Sequence, residues 1–307
     1  MPVPGTLIAW KLKGLEDFIT FSVVHCHLGE SGRRFVSTGD DEPGANAIPD
    51  PTDGYEGFPR LREVYYETEK EYQGRYTVPV LYDKIMKRIV NNESSEIIRM
   101  LGSEFDDFID EKYRGVNLYP EELRSQIEDA CTWQHEMINK GVYKCGVATT
   151  AEGYERHVHA LFKALDRVEK HLMEQSCGPY YFGKMLTEVD IRLYVTIIRF
   201  DPVYVQHFRC NICDIRSGYP ALHKWLRNLY WKHPAFHDTT QFEHIKWQYT
   251  RSRTQTHQLA ITPVGPLPHI LPLDREVSSA EIIIKGNNTF AAGVIVSYII
   301  LAVIVLR

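Results

Sequence analysis

Three features are scarce or absent in this chain of 307 residues, and each bears on a class of function. The net charge of −5 provides no positive excess, so the sequence gives no reason to expect a nucleic-acid partner. The C-x-x-C run at Cys210 and Cys213 has no second cysteine pair, so we expect two ordinary thiols and no metal. The first residues lack a secretory signal pattern. With six cysteines, this predicts a cytoplasmic protein with free thiols.

The composition is that of a globular protein, with 44% hydrophobic and 24% charged residues. Residues 1–110 mix short strands with helices, which predicts an α/β domain. Its expected elements are a helix ended by Gly14, a strand from Ile19, a loop at 36–57, a hairpin within 77–92 and a helix from Ser94.

Residues 119–250 are predicted to be all-helical. Apolar residues recur at three- and four-residue steps between 152 and 172, and the run 190–208 is apolar on most sides, as in a buried central helix. An earlier helix should place Leu123, Ile127, Ala130 and Met137 near one face. Residues 251–275 form a Pro-rich extension, and 276–307 form an atypical tail.

Pro79 follows Val78 at the start of a short apolar run, TVPVLYD. Proline removes a backbone donor and is unusual inside a strand, so two interpretations are open. The first is an edge strand with a trans peptide bond. The second is a cis-proline at the start of a strand that faces a ligand, which leaves the backbone N–H and C=O of Val78 free to pair with an extended peptide.

Glu93 and Ser94 lie in the polar run NNESSE, directly at a predicted helix start. The free N–H groups of a helix N-terminus attract carboxylates, and the Ser94 hydroxyl can add a hydrogen bond. The Glu93 carboxylate can bind an ammonium group. The γ-glutamyl end of glutathione carries both charges. Simple N-capping is the alternative, but the combination with Val78 and Pro79 favours the ligand.

Thr187 and Asp190 open the predicted central helix in the run GKMLTEVDIRLY. Thr187 can cap the backbone of Asp190 while the Asp190 carboxylate reaches back to Thr187, an arrangement known as a capping box. By itself this pattern predicts a good helix start, and in this position it resembles the capping box of the glutathione transferase C-terminal domain.

Several stretches together resemble one family. They include GRYTVPVLYDK, IVNNESSEIIRM, NKGVYKCGVATT, DIRLYVTIIRFDPVYVQHFRCNI and HIKWQYTRSR, and with others they span roughly residues 6–274. The chain is similar to the glutathionyl-hydroquinone reductases, also called Xi-class glutathione transferases. The resemblance implies a thioredoxin-like N-terminal domain and an all-α C-terminal glutathione transferase domain, usually in a homodimer.

The resemblance also implies an activity, the reductive removal of glutathione from glutathionyl-hydroquinones, with glutathione as co-substrate. A catalytic Cys attacks the thioether sulfur, and a second glutathione resolves the mixed disulfide. Carried over by position, the glutathione site comprises Arg75, Tyr76, Thr77 and Val78, with Glu93 and Ser94 on the γ-glutamyl end. Tyr143 and Tyr249 would face the aromatic substrate. Without the family, partial burial with a satisfied hydroxyl is the preferred interpretation of both tyrosines.

Two departures from the family pattern concern this site. The family carries a Cys-Pro-Trp-Ala motif after a strand, where this chain reads MPVPG. We therefore expect the catalytic cysteine and the first strand to be missing and one flank of the sheet to be uncovered. Arg33 stands where the family typically carries Trp. Cys26 and Cys145 are the thiols that we expect nearest to the position of the catalytic cysteine. Neither opens a helix after a strand, the setting that lowers a thiol's pKa.

The run TFAAGVIVSYIILAVIVL, residues 289–306, has 18 residues without a charge. This length reaches the lower limit for a transmembrane helix. Two alternatives are open. The run is a tail anchor in an intracellular membrane, with the preceding domains in the cytosol, or it is a divergent or incorrectly spliced end. A membrane partner is expected only in the first case.

Two function classes therefore remain open. The first is an enzyme of glutathione chemistry acting on quinones or related aromatic metabolites. The second is a glutathione-binding or scaffold protein that kept the fold and lost the nucleophile. The residues before Thr6 separate the two classes. We expect the chain as written to release little or no glutathione from a glutathionyl-hydroquinone.

Overall fold

The computed structural model describes residues 4–36, 44, 47, 58–175, 178–252, 259–273 and 302–306, the last five by their backbone alone. The N-terminal elements are helix α1 (Pro4–Leu12), strand β1 (Ile19–Val23), helix α2 (Leu61–Thr68), strands β2 (Val80–Asp83) and β3 (Arg88–Asn91), and helix α3 (Ser94–Ser103). The helix ending before Gly14, the strand from Ile19, the hairpin and the helix from Ser94 are confirmed. The predicted loop at 36–57 lies almost entirely outside the described residues.

Helix α2 is an element that the sequence analysis missed. Its buried residues Leu61, Val64 and Tyr65 lie at three- and four-residue spacing and so share one face. The helix is only 8 residues long, and its N-cap residue Arg60 makes no side-chain capping hydrogen bond. A short helix without a capping side chain offers little local signal in the sequence.

The elements that follow are helical. They are α4 (Glu111–Arg114), α5 (Arg124–Gln134), α6 (Gly141–Gly146), α7 (Ala151–Glu174), α8 (Glu188–Ile197), α9 (Val205–His207), α10 (Ile215–Gly218), α11 (Pro220–Lys232), α12 (Pro234–His237) and α13 (Phe242–Arg251). A 3₁₀ turn at Glu121–Leu123 precedes α5, and π-helical turns lie at His135–Asn139 and Phe200–Tyr204. The domain boundaries 1–110, 119–250, 251–275 and 276–307 remain predictions.

The sheet has four strands in the order β1-β4-β2-β3, where β4 is Ala302–Leu306. β4 pairs antiparallel with β1, from Ile19 opposite Leu306 to Val23 opposite Ala302. On its other side it pairs parallel with β2. The flank that the sequence analysis expected to be uncovered is therefore covered by a strand from the far end of the chain.

This strand also changes the interpretation of the apolar run 289–306. Residues 302–306 form an extended strand and not a helix, while 289–301 lie outside the described residues. Within the described ranges, the structure has no helix that is both long and apolar enough to cross a bilayer. The alternative of a membrane-spanning helix through the whole run is not supported.

Helix α8 is the buried centre of the C-terminal part, as predicted. Each of its residues except Arg192 is buried, and α1, α3 and α5 pack against it. One core assignment is wrong. Met137 is 36% exposed, whereas Ile138 is fully buried. The π-helical turn His135–Asn139 explains the difference, because its wider turn rotates the following side chains relative to an α-helix.

The capping box predicted for Thr187 and Asp190 is present, and Asp190 does more than cap. Its fully buried carboxylate accepts hydrogen bonds from the Thr187 N–H at 3.0 Å, the Tyr181 N–H at 2.7 Å and the Trp225 indole N–H at 2.9 Å. Burial raises the pKa of Asp190, and these hydrogen bonds oppose the shift. One carboxylate thus joins the start of α8 to α11 and to the segment before α8.

The Pro-rich extension, where described at 259–273, contains no helix or strand and is held by side chains of the helices. Arg216 donates to the carbonyl of Pro268 at 2.9 Å, and Trp231 donates to that of Leu271 at 2.9 Å. Lys246 donates to the carbonyl of Val264 at 2.6 Å. These bonds satisfy backbone carbonyls in an irregular segment, so the extension lies fixed along α10, α11 and α13.

The strand assignment of β4 predicts the effect of Ile304→Pro. Ile304 lies opposite Phe21 of β1 and Leu81 of β2, and proline inside a central strand removes a ladder hydrogen bond. We expect the free energy of unfolding to fall by about 3 kcal/mol or more, measured by urea denaturation. Ile304→Val is the matched control and should behave like wild type. Equal stability of the two variants would contradict the strand assignment.

Candidate functional site

The segment Arg75–Val78 lies between α2 and β2. The peptide bond between Val78 and Pro79 is cis, as in the second interpretation of this run. Val78 is 6% exposed, and in the described part of the chain neither its N–H nor its C=O has a hydrogen-bond partner. Buried backbone groups are nearly always paired in folded proteins. The two groups of Val78 are therefore available to an extended peptide.

The hydroxyl of Tyr65 on α2 joins this segment to the start of α3. Tyr65 donates to the Thr77 carbonyl at 2.8 Å and accepts from the Thr77 N–H at 3.2 Å. The Asn92 side-chain amide donates to the same hydroxyl at 3.2 Å. Thr77 directly precedes Val78, and Asn92 directly precedes Glu93. The two halves of the predicted glutathione site are therefore brought together by one buried tyrosine.

Three further tyrosines surround Tyr65. The rings of Tyr72 and Tyr76 lie 4.9 and 5.6 Å from it, and the Tyr66 hydroxyl lies 2.6 Å from that of Tyr76. The Tyr72 hydroxyl donates to the Arg75 carbonyl at 3.2 Å. The Arg75 side chain is exposed. The cluster orients the backbone of Arg75–Val78 and leaves the Arg75 guanidinium at the surface.

Helix α3 begins without a capping side chain. Glu93 is its N-cap residue and makes no side-chain capping hydrogen bond, and the Ile97 N–H is the donor to the Glu93 carbonyl at 3.0 Å. The Asn91 side chain accepts from the Glu93 N–H at 2.7 Å, just outside the helix. Among the described residues, no side chain caps the N–H groups of the first turn, so these groups are available to a ligand.

Tyr143 and Tyr249, the residues expected to face an aromatic substrate, are in direct contact. Their hydroxyl oxygens lie 2.6 Å apart, with Tyr143 on α6 half-buried and Tyr249 on α13 at 4% exposure. Phe208 packs against both rings, with centroids 5.2 Å from Tyr143 and 5.6 Å from Tyr249. Residues 106 positions apart in sequence thus form one phenolic pair beside an aromatic wall.

Tyr204 is a third member of this cluster, and the sequence analysis missed it. It is fully buried in the π-helical turn Phe200–Tyr204, and its hydroxyl lies 3.0 Å from that of Tyr249. Its ring stacks on Phe208 at 5.3 Å. In the sequence, Tyr204 is one apolar position among many in a buried helix, so only the tertiary contact reveals it.

Comparison with known proteins identifies the family of this chain. A profile described as "Glutathione S-transferase, C-terminal domain" matches residues 151–228. The chain is 49% identical to "Glutathione S-transferase omega-like 2" of Schizosaccharomyces pombe, over 86% of this chain and 82% of that protein. The chain belongs to the Xi-class, omega-like glutathione transferases. It is also 40% identical to a glutathionyl-hydroquinone reductase of Sphingobium chlorophenolicum, over 85% of this chain and 78% of that protein.

The fold places the chain in the same Xi-class family. A Saccharomyces cerevisiae Xi glutathione transferase, solved in complex with glutathione, superposes with a TM-score of 0.83 and 43% identity. The match covers 89% of this chain and 91% of that chain. The architecture is accordingly a thioredoxin-like α/β domain followed by an all-α glutathione transferase domain. Here β4 lies between β1 and β2 of the α/β domain.

The five described cysteines do not provide an exposed thiol at the start of a long helix, the setting that activates a nucleophile. Of the five described cysteines, Cys213 is half-buried and the others are buried, and none opens a helix of eight or more residues. Burial raises the pKa of Cys131 to about 12. A hydrogen bond from Cys210 lowers the pKa of Cys145, but the Cys145 side chain is fully buried. Cys26 is also fully buried.

A cavity of about 310 Å³ lies elsewhere, between α3, α5 and the start of α8. None of the predicted site residues lines it. Arg99 donates to both carboxylate oxygens of buried Glu188, at 2.7 and 2.8 Å, and its guanidinium lies 4.2 Å from the centre of the Tyr119 ring. Arg99 and Glu188 in its lining are thus paired with each other, and we assign this cavity to the contact between α3 and α8.

The hydrogen bonds of Tyr65 predict a cost for Tyr65→Phe. Removing this buried hydroxyl leaves groups of Thr77 and Asn92 without their partner, so the free energy of unfolding should fall by about 1–3 kcal/mol. Tyr66→Phe is the matched control, because Tyr66 is 39% exposed on the same helix, and it should change stability by less than about 0.5 kcal/mol. Urea denaturation measures both. Equal losses of stability in the two variants would show that the Tyr65 hydroxyl does not hold Thr77 and Asn92 together.

Proposed function

We propose that this chain binds glutathione along Arg75–Val78 and at the N-terminus of α3. We further propose that it holds a glutathionyl-hydroquinone there for reductive removal of its glutathione. The observation that carries the proposal is the backbone N–H and C=O of Val78, which have no hydrogen-bond partner among the described residues and which the Tyr65 hydroxyl holds beside the start of α3. An extended peptide with a carboxylate end satisfies both features at once.

The chemistry of the site suits the parts of glutathione. Its peptide backbone can exchange hydrogen bonds with Val78, as a strand does with a sheet edge. A carboxylate at the start of α3 gains from the helix dipole and the Ser94 hydroxyl, and the Glu93 carboxylate can bind the neighbouring ammonium group. The exposed Arg75 guanidinium can bind a second carboxylate. Support also comes from the glutathione-bound Xi relative of Saccharomyces cerevisiae.

The reaction needs a thiolate and a proton. A thiolate attacks the thioether sulfur, the new S–S bond forms, and the C–S electron pair moves to the aromatic carbon, which takes up a proton. A second glutathione then converts any mixed disulfide into glutathione disulfide, so that the products are this disulfide and the free hydroquinone. In the proposal, the Tyr143 and Tyr249 phenols lie at the aromatic part of the substrate and supply the proton.

A second candidate function is glutathione binding without turnover. The observation that favours it is the setting of the thiols. Four of the five described cysteines are buried, a setting that disfavours a thiolate. In this case the site would retain glutathione or a glutathione conjugate, and a partner protein would use the complex.

The assembly and location of the chain belong to the same proposal. Family resemblance supports a homodimer and, with the free thiols of the described part of the chain, a location in the cytoplasm. Light scattering of the purified full chain should give a mass of twice 35.6 kDa. A mass of one chain at micromolar concentration would contradict the homodimer.

The glutathione assignment predicts weaker binding in Glu93→Ala and in Ser94→Ala. Each variant removes one charge-assisted contact, typically worth about 1.5–3 kcal/mol, so the dissociation constant should rise roughly tenfold or more. Calorimetric titration with glutathione measures the change. Ser103→Ala and Glu104→Ala, at the opposite end of α3, are matched controls and should bind like wild type. Unchanged affinity in Glu93→Ala and Ser94→Ala would remove these residues from the site.

The burial of four of the five described cysteines predicts a low rate for the chain as written. When the chain is mixed with a glutathionyl-hydroquinone and glutathione, we expect little hydroquinone to be released. Liquid chromatography measures the amount of hydroquinone. Replacing Met1–Gly5 by a segment ending in Cys-Pro-Trp-Ala should raise the rate at least about tenfold, because a covalent intermediate becomes accessible. Fast release by the unmodified chain that is lost in Cys26→Ser or Cys145→Ser would identify another nucleophile. No release by either form, with intact glutathione binding, would favour the second candidate.

A further inference from the structure

The three tyrosine hydroxyls of the substrate cluster form a linear chain. Tyr204 lies at its buried end, 3.0 Å from Tyr249, and Tyr249 lies 2.6 Å from Tyr143. Exposure rises along the chain, from 0% at Tyr204 to 4% at Tyr249 and to a half-buried side chain at Tyr143. The chain of hydroxyls thus runs from the protein interior toward the face where Tyr143 can meet a ligand.

The direction of these hydrogen bonds follows from counting donors. Within the described ranges, the Tyr204 hydroxyl has one hydrogen-bond partner, Tyr249. If Tyr204 accepted this bond, its own buried O–H would lack an acceptor, which is costly in a protein interior. Tyr204 therefore donates to Tyr249. The buried O–H of Tyr249 then has the Tyr143 oxygen as its acceptor at 2.6 Å.

The ionisation of the two inner phenols agrees with this direction. Burial raises the pKa of both Tyr204 and Tyr249 well above the ordinary value for tyrosine. For Tyr249, donation to Tyr143 raises the pKa further, and acceptance from Tyr204 lowers it. Both inner hydroxyls therefore keep their protons at neutral pH and act as donors toward Tyr143.

We propose that Tyr204 is a positioning residue of the substrate site, which fixes the hydrogen bonds so that the Tyr143 O–H is presented to an acceptor on a bound aromatic ligand. This inference rests on the proposed function. The acceptor is a quinone or quinol oxygen, or the aromatic carbon that receives the electron pair when the C–S bond breaks. Tyr143 gives its proton to that atom, the Tyr249 O–H stabilises the phenolate, and solvent returns the proton.

The chain offers a clean substitution and a matched control. In Tyr204→Phe the ring that stacks on Phe208 is kept, and only the hydroxyl is lost. Tyr194→Phe is the control, because Tyr194 is also fully buried and its hydroxyl bonds to core residues away from the cluster, to Thr240 at 2.8 Å and to the Phe236 carbonyl at 3.4 Å. In Tyr204→Phe, the Tyr249 hydroxyl keeps its hydrogen bond with Tyr143. In Tyr194→Phe, the Thr240 hydroxyl keeps its hydrogen bond to the Phe236 carbonyl.

The test compares two ligands that differ by one acceptor, fluorenone-2-carboxylate and fluorene-2-carboxylate, by calorimetry on the full chain. Wild type and Tyr194→Phe should bind the carbonyl compound roughly two- to tenfold more tightly, the size of one hydrogen bond. Tyr204→Phe and Tyr143→Phe should lose most of this preference. An unchanged preference in Tyr204→Phe, or no preference or no binding in wild type, would overturn the proposal.

Turnover of a glutathionyl-hydroquinone separates this inference from the proposed function when the same variants are made in the chain whose Met1–Gly5 segment is replaced by one ending in Cys-Pro-Trp-Ala. A carbonyl preference that depends on Tyr204, without hydroquinone release in any sample, would contradict the proposed reaction and support the role of Tyr204. Hydroquinone release that falls equally in Tyr204→Phe and Tyr194→Phe, together with an unchanged carbonyl preference, would support the proposed reaction and contradict the role of Tyr204. We expect release to fall roughly tenfold in Tyr204→Phe alone, less than the 10²–10⁴ typical of removing a general acid.

Discussion

The carboxylate of Asp190 is the interaction on which the arrangement of helices depends. It is fully buried, and it accepts hydrogen bonds from the backbone of Thr187 and Tyr181 and from the Trp225 indole. A buried carboxylate is stable only when such donors surround it, so each group fixes the position of the others. It thereby sets the start of α8, and α8 in turn supports α1, α3 and α5.

The two candidate sites use tyrosine hydroxyls in different ways. At the glutathione site, Tyr65 and Tyr72 bond to backbone groups of Thr77 and Arg75, so the hydroxyls hold a loop that presents Val78. At the proposed substrate site the hydroxyls bond to one another, which fixes the direction of their hydrogen bonds. In our proposal, the first arrangement favours binding of a peptide, and the second favours proton transfer to an aromatic ligand.

Local features were predictable from the sequence, and contacts between distant segments were not. Pro79, the hairpin before α3 and the capping box at Thr187 each depend on residues a few positions apart. The glutathione assignment of Glu93 and Ser94 came from the same kind of local pattern. By contrast, β4 pairs with strands about 280 and 220 positions away, and nothing in an apolar run distinguishes that role from a membrane helix. Tyr204 joined the site only through its contact with Tyr249.

The central claim is that the backbone of Val78 is the docking point for glutathione. Hydrogen exchange of the Val78 amide, followed by NMR with and without glutathione, tests this most directly. The account predicts that this amide exchanges readily in the free chain, because it has no partner in the described structure, and becomes protected when glutathione binds. An amide that is already protected without ligand, or one that stays unprotected at saturating glutathione, would contradict it.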